Sequence, residues 1–322
     1  MNSWRKQLRF DPIKPLLDSG NEAIVFFTKR NLLNEDAGGI EQLWHMEQPQ
    51  RLLEKQQGDG SWKYKGKKSL RREYNKLETY RTIGWLVEKY GMNRAHVSIQ
   101  KAAEFLFSFQ TDEGDFRGIY GNQYSPNYSA AIMELLIKAG YENDPRIDRG
   151  LIWLLSMRQN DGGWAGPLRT HKVDYSVIRD RKALEPDRSK PFSHLVTGIV
   201  LRAFAAHKEY RKRRETVHAA ELLASRLFQK DAYPDRADIS YWTKFRYPFW
   251  WTDILSSLDS LSLIGVAVRS QNVRRALDWF VAKQNESGVW KVYLLASADD
   301  RRYNDLWISL AICRVFKRFY TG

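Results

Sequence analysis

The 322-residue chain contains one cysteine, Cys313, which excludes an intramolecular disulfide and any zinc site built from several thiolates of one chain. That cysteine lies in the apolar run Leu306 to Phe319, where a buried, inert thiol is expected. No stretch of eighteen apolar residues exists, so no bilayer-spanning helix is expected. The opening Met1-Asn-Ser-Trp-Arg-Lys lacks the apolar centre of a secretion signal, and the expected location is cytoplasmic. Period-two alternation is scarce, which argues against sheet. No nucleic-acid-reading module accompanies the basic residues, so no nucleic-acid partner is expected.

Aromatic residues are plentiful: 12 Trp, 16 Tyr and 15 Phe, within a hydrophobic content of 43%. They can fill a large core, and their number also brings an aromatic-lined cavity into consideration. The net charge of +14 concentrates in Lys63-Tyr-Lys-Gly-Lys-Lys-Ser-Leu-Arg-Arg72 and Lys208-Glu-Tyr-Arg-Lys-Arg-Arg214. Such clusters serve as solvated loops, or draw in an anionic membrane surface or a diphosphate.

Four short stretches resemble one another: Gln57-Gly-Asp-Gly-Ser-Trp62, Gln110-Thr-Asp-Glu-Gly-Asp-Phe116, Gln159-Asn-Asp-Gly-Gly-Trp164 and Gln284-Asn-Glu-Ser-Gly-Val-Trp290. Each reads Gln, two or three residues, Gly, one residue, then Trp or Phe. A recurrence at a period of about 50 residues means stacked supersecondary units. Apolar periodicity predicts a helix before each turn (39–57, 94–110, 145–159, 270–284) and another after it (78–90, 127–139, 193–207, 304–319). A fifth, degenerate unit pairs 215–229 with 249–265 across the turn 230–235, which has lost its Gly and Trp, and an unpaired helix is expected near 15–30. Post-turn helices are the more continuously apolar and carry small residues, whereas pre-turn helices carry charged stripes. The expected fold is therefore an all-α α/α toroid, a single domain over residues 1–322, with an inner and an outer ring of about five to six helical hairpins. The connection 165–192 is long enough to be functional, and could lie over the mouth of the barrel.

The repeated pattern, with Phe105-Leu and Trp279-Phe leading into two copies, resembles the QW motif of the terpenoid cyclase and protein prenyltransferase superfamily, squalene–hopene cyclase in particular. The resemblance implies an isoprenoid-like apolar ligand or an isoprenoid diphosphate in a central aromatic cavity. It stops at the chemistry. The Asp-x-Asp-Asp acid motif of that family is absent; Ser297-Ala-Asp-Asp300 has Ser in the first place and stands beside Arg301 and Arg302, which favour ionised carboxylates. The Asp-x-Cys of zinc prenyltransferases and the Asp-rich magnesium motifs are also missing, so no metal or cofactor is expected.

Aligning the repeats sets Tyr80-Arg-Thr82, Tyr128-Ser-Ala130, Leu195-Val-Thr197, Trp251-Thr-Asp253 and Asp305-Leu-Trp307 at equivalent places, the amino ends of inner helices. Asp253 then replaces a Thr and is the candidate acid, with His194 as base or proton carrier. Arg81 is a candidate clamp for an anionic headgroup, and Tyr80, Tyr128, Trp251, Asp305 and Trp307 are candidate ligand contacts. Each residue also has a structural reading: Asp253 as a cap or an ion-pair partner within the barrel, His194 as a capping or packing residue, Arg81 paired with Asp253 or Glu78. Two other functions stay open, a non-catalytic lipid- or peptide-binding toroid and a carbohydrate-active α/α barrel using Asp253 and Asp305 with Trp platforms.

Overall fold

The computed structural model describes residues 3–66, 73–268, 270–292 and 301–321. Part of the first basic cluster, residues 67–72, and the Ser297–Asp300 string lie outside them. Helices run, in chain order, as α1 (Ile13–Leu17), α2 (Glu22–Phe27), α3 (Glu47–Leu53), α4 (Tyr74–Tyr90) and α5 (Val97–Phe107). Then follow α6 (Pro126–Leu136), α7 (Pro145–Ser156), α8 (Pro167–Thr170), α9 (Tyr175–Ile178) and α10 (His194–Ala206). The last are α11 (Arg214–Ser225), α12 (Ile254–Ile264), α13 (Gln271–Lys283) and α14 (Arg301–Thr321). Among the described residues the only β pairing is isolated bridges, and the class is all-α. Packing separates two compact units, one of Met1–Gly39 with Ala220–Gly322 and one of Ile40–Ala219.

In the second unit, α6 packs along α10 and touches α4, forming an inner row; α5 lies on α4 and α7 on α6 as an outer row. The division follows from composition. Ser129, Ala130, Ala131 and Ile132 bury every side of α6, while α7 buries Ile147, Leu151 and Leu154 and leaves Arg149 and Ile152 exposed. Asp144 caps α7 by accepting the Arg146 N–H, with Pro145 at the first helical position, as its sequence predicts.

The four turns share one geometry, and it corrects the register read from sequence. The residue four before the central Gly and six before the aromatic is Gln56, Gln110, Arg158 and Gln284. Each sends a side-chain N–H to that glycine's carbonyl: Gln56 to Gly60 (2.9 Å), Gln110 to Gly114 (2.8 Å), Arg158 to Gly162 (2.8 Å) and Gln284 to Gly288 (2.9 Å). Gln57 and Gln159 are therefore not the motif residues. In three turns the same amide also bonds the start of the next segment: Ser98 O (2.8 Å), Arg146 O (2.8 Å) and Phe10 O (2.9 Å). Behind the turn, the Trp62, Trp164 and Trp290 indoles donate to Leu52 O, Leu154 O and Phe280 O at 2.6–2.7 Å. Thus one turn ties an outer helix to itself, to the next outer segment and, through the aromatic backbone N–H, to the following inner helix. Glycine is required because φ at Gly60 is +88° and a Cβ there would stand 2.3 Å from Lys101 O.

In the first unit, α14 packs on α12 and on the 3-10 turn Ser3–Gln7. Lys317 Nζ donates to Asn31 O at 2.6 Å, fastening the last helix to the N-terminal segment. The helix expected over 15–30 is broken into α1 and α2 because Gly20 takes a left-handed φ of +67° and Asn21 caps α2 through the Ile24 N–H. The helix expected over 39–57 is a 3-10 turn, Ile40–His45, followed by the short α3. Pro49 has no N–H to give to a preceding turn, so α3 begins close before it.

Candidate functional site

Backbone N–H groups of the aromatic turn residues all find a hydroxyl on the next inner helix. Trp62 donates to Thr79 Oγ1 (2.9 Å), Phe116 to Ser129 Oγ (3.0 Å), Trp164 to Thr197 Oγ1 (2.9 Å) and Trp290 to Ser309 Oγ (3.0 Å). This column replaces the one inferred from sequence: Thr82 is not the partner of Thr197, and Asp253 does not substitute for either. Asp253 instead belongs with the caps Ser125 and Ser193, each standing four residues before a hydroxyl of the column or its counterpart Ser257. Ser257 Oγ is buried and has no hydrogen-bond partner, because the degenerate turn supplies no aromatic N–H to it. Beyond that turn, Trp242 of the 3-10 segment Ile239–Thr243 donates its indole N–H to Gln229 O at 2.8 Å.

Within the second unit, Tyr80 is buried on α4, one residue from Arg81, whose guanidinium lies 3.5 Å from Glu78. His194 opens α10 and is buried behind Ser193, which accepts the Val196 N–H. Tyr128, in the first turn of α6, meets Tyr120 at 5.6 Å, and Tyr120 meets Tyr175 of α9 at the same distance. This tyrosine trio joins the start of an inner helix to the long connection.

Within the first unit, Asp253 is 1% exposed and caps α12. Its Oδ1 accepts the Ser256 N–H at 2.8 Å while Ser256 Oγ accepts the Asp253 N–H at 3.0 Å, a reciprocal box. Trp251 carries Arg236 3.3 Å above its ring and meets Trp250 edge-on at 6.4 Å. Trp307 of α14 is buried, stacked on Tyr247 at 5.8 Å and met by Phe27 at 6.2 Å. Arg314 Nη1 donates to the Tyr247 hydroxyl at 3.1 Å. Asp305 stands half-buried on the same helix, and burial pushes its carboxyl above the ordinary aspartate range against the pull of Lys291. Sequence reasoning found Asp305 by alignment, but its raised pKa depends on packing.

Two features escaped the sequence. Lys76 on α4 is wholly buried, donating to Arg117 O with its ammonium 4.7 Å from the Phe109 ring centre; burial lowers its pKa to about 7. Arg202 of α10 pairs with Glu134 of α6 at 2.9 Å, both buried, and Lys138 joins Glu134 at 2.8 Å. No group of His, Cys, Asp and Glu among the described residues is arranged to hold a metal ion. No described helix is long and apolar enough to cross a membrane.

Several known proteins are similar to this chain or to part of it. Residues 79–183 match the squalene–hopene cyclase C-terminal domain family. A squalene–hopene cyclase of Bradyrhizobium diazoefficiens is 27% identical over 183 residues, covering 53% of this chain and 26% of the relative. The chain thus spans about a quarter of the length of that relative. Among solved structures, the type II terpene cyclase MstE from Scytonema, in a variant's apo form, superposes with a TM-score of 0.48 at 14% identity, covering 95% of this chain and 97% of that one. An MstE variant in complex with geranylgeranyl dihydroxybenzoate gives 0.45 at 13% identity, covering 96% and 98%. An alpha-amylase from Clostridium perfringens gives 0.47 at 12% identity, covering 94% and 86%. The match to the family is thus confined to residues 79–183, within the second unit.

Proposed function

We propose that this chain binds an isoprenoid-like apolar ligand among the aromatic residues at the amino ends of its inner helices, as a terpenoid cyclase-like protein. The observation that carries the reading is the squalene–hopene cyclase C-terminal match over 79–183, which runs from within α4 through α9. Tyr80 and Tyr128 in the second unit, and Trp251 and Trp307 in the first, are proposed as ligand contacts, each within its own unit, and their ring faces suit a cationic intermediate. Arg81 and His194 orient the polar end of the ligand or, in a diphosphate, its charge.

Alkene protonation requires a carboxylic acid that stays protonated out of water. Asp253 is the proposed acid on burial, and Asp305 is the second candidate on its raised pKa. The two separate by mutation. Asn caps a helix almost as well as Asp, so Asp253→Asn leaves α12 capped while removing the acid. Loss of turnover with an unchanged melting temperature supports Asp253; unchanged turnover sinks it and leaves Asp305→Asn as the informative variant.

The first experiment is a thermal-shift titration with squalene, farnesyl diphosphate, geranylgeranyl diphosphate and maltooligosaccharides. Stabilisation that grows with the concentration of an isoprenoid is the expected result. A shift with sugars alone would replace this reading by a carbohydrate one, and no shift at all would reduce it to a shared scaffold. The proposal includes a peripheral contact with anionic lipid through residues 208–214, where Lys208 and Lys212 already neighbour Glu142 and Glu209 at 3.6 Å and 3.1 Å. Failure to co-sediment with phosphatidylserine vesicles at low salt would remove that part. The proposed location is the cytoplasm, which fractionation of the producing cells would test.

A further inference from the structure

The connection between α7 and α10 is held at two separate places. Its root is tied by several groups. Gln159 Nε2 donates to Asp187 O (2.7 Å) and Lys190 O (3.0 Å), Asn160 N–H to Arg188 O (3.0 Å), and Asp187 N–H to Thr170 Oγ1 (3.0 Å). Its tip, residues 178–184, is gripped chiefly by one side chain. Gln123 is 1% exposed; its Nε2 donates to Ile178 O (2.6 Å), Arg181 O (3.1 Å) and Lys182 O (3.3 Å), and its Oε1 accepts the Leu184 N–H (3.0 Å). Neighbouring Asn122 adds its own N–H to Arg179 O (2.9 Å) and Nδ2 to Arg181 O (3.0 Å).

All these partners of Gln123 are main-chain atoms, so the grip depends on the path of the tip and not on its side chains. The side chains of Arg181 and Lys182 point into solvent, and Val177 is 60% exposed. Just before the tip, the Tyr175 ring meets Tyr120 edge-on at 5.6 Å, and Tyr120 meets Tyr128 edge-on at the first turn of α6. A buried amide with four bonds to one short exposed segment is a stronger fixing than a surface loop needs, since each net bond contributes only about 1 kcal/mol and the rest of the tip buries little.

We propose that residues 165–192 form a lid hinged at its bonded root, that Gln123 is the latch of its tip, and that the lid covers the Tyr120–Tyr128 end of the inner helices. Loss of that side chain removes four of the tip's bonds and leaves the two from Asn122, which loosens 175–184 while the root, α6 and α10 keep their own bonds. The lid deepens the ligand reading above and rests on it only for what passes beneath. Gln123 is a positioning residue, acting through the backbone of the tip.

The test uses the full chain with Gln123→Ala, and Gln123→Glu as the size-matched variant that keeps the acceptor for Leu184 but loses all three donated bonds. Hydrogen exchange of amides 178–184 should accelerate at least tenfold in both variants, and trypsin should cleave after Arg181 and Lys182, with α6 and α10 as protected as before. A thiol introduced by Tyr128→Cys reports on the covering, with buried Cys313 as an unreactive background. Its alkylation by N-ethylmaleimide should speed up about tenfold when Gln123→Ala is added. Unchanged exchange in the tip overturns the latch, and unchanged alkylation overturns the lid. Absence of any isoprenoid shift in the unmodified protein would instead count against the proposed ligand alone, because neither readout of the lid uses one.

Discussion

Gln284 and Phe10 stand 274 residues apart in the chain and exchange two hydrogen bonds, Nε2 to Phe10 O at 2.9 Å and Phe10 N–H to Oε1 at 3.0 Å. The Arg9 N–H adds a third at 3.0 Å. The last turn of the repeat thereby holds the N-terminal segment as Gln56 and Gln110 hold the starts of α5 and α7. Gln284→Ala should cost about 2–4 kcal/mol in chemical denaturation, because it strands buried backbone groups as well as losing the bonds. A cost below about 0.5 kcal/mol would show that the grip adds nothing to the fold.

Gly58 and Gly60 lie two residues apart in the first turn, yet they should answer an added methyl group differently. A Cβ on Gly58 meets nothing within 4 Å, whereas one on Gly60 meets Lys101 O at 2.3 Å with φ at +88°. Gly58→Ala is expected within about 0.5 kcal/mol of the parent, and Gly60→Ala to lose about 2 kcal/mol or more. Melting temperatures of the pair check this.

The buried Lys76 should make stability depend on pH. Its pKa is lowered from 10.5 to about 7 by burial, so below about pH 7 the ammonium is present in both states and its burial cost is felt in full. Between about 7 and 10.5 the folded protein releases the proton first, and the cost fades as pH rises. Lys76→Met should stabilise the protein at pH 6–7 by about 1–3 kcal/mol and remove that share of the slope. Denaturation midpoints at pH 6 and pH 9 that differ equally in parent and variant would contradict it.

Thr197 and Ser257 occupy corresponding helix positions with different duties. Thr197 Oγ1 accepts the Trp164 N–H at 2.9 Å, while Ser257 Oγ has no partner. Thr197→Val should cost about 1–3 kcal/mol, and Ser257→Ala should be neutral or slightly stabilising. Equal losses at both sites would mean that Ser257 holds a buried water.

We propose that residues 1–322 unfold as one cooperative domain. Calorimetry should then give a single transition whose van't Hoff and calorimetric enthalpies agree. Two resolved transitions would make the packing units independent.

The sequence alone determined the class, the number of hairpins and the places of the turns, because amphipathic period and a Gly-x-aromatic turn are local properties. Pro145 after Asp144 is enough to start α7, and four similar turns are enough to reveal a repeat. Register was beyond its reach. Gln56 next to Gln57 and Arg158 next to Gln159 offer two equally good donors, and only the position of the facing carbonyl selects one. The same holds for the hydroxyl column, where Thr79 is chosen over Thr82 by the direction of the Trp62 N–H. Asp253 looked like an acid among tryptophans, and tertiary structure shows it also capping α12. The raised Asp305, the lowered Lys76 and the latch at Gln123 are set by burial and by contacts between distant segments, which no local pattern encodes.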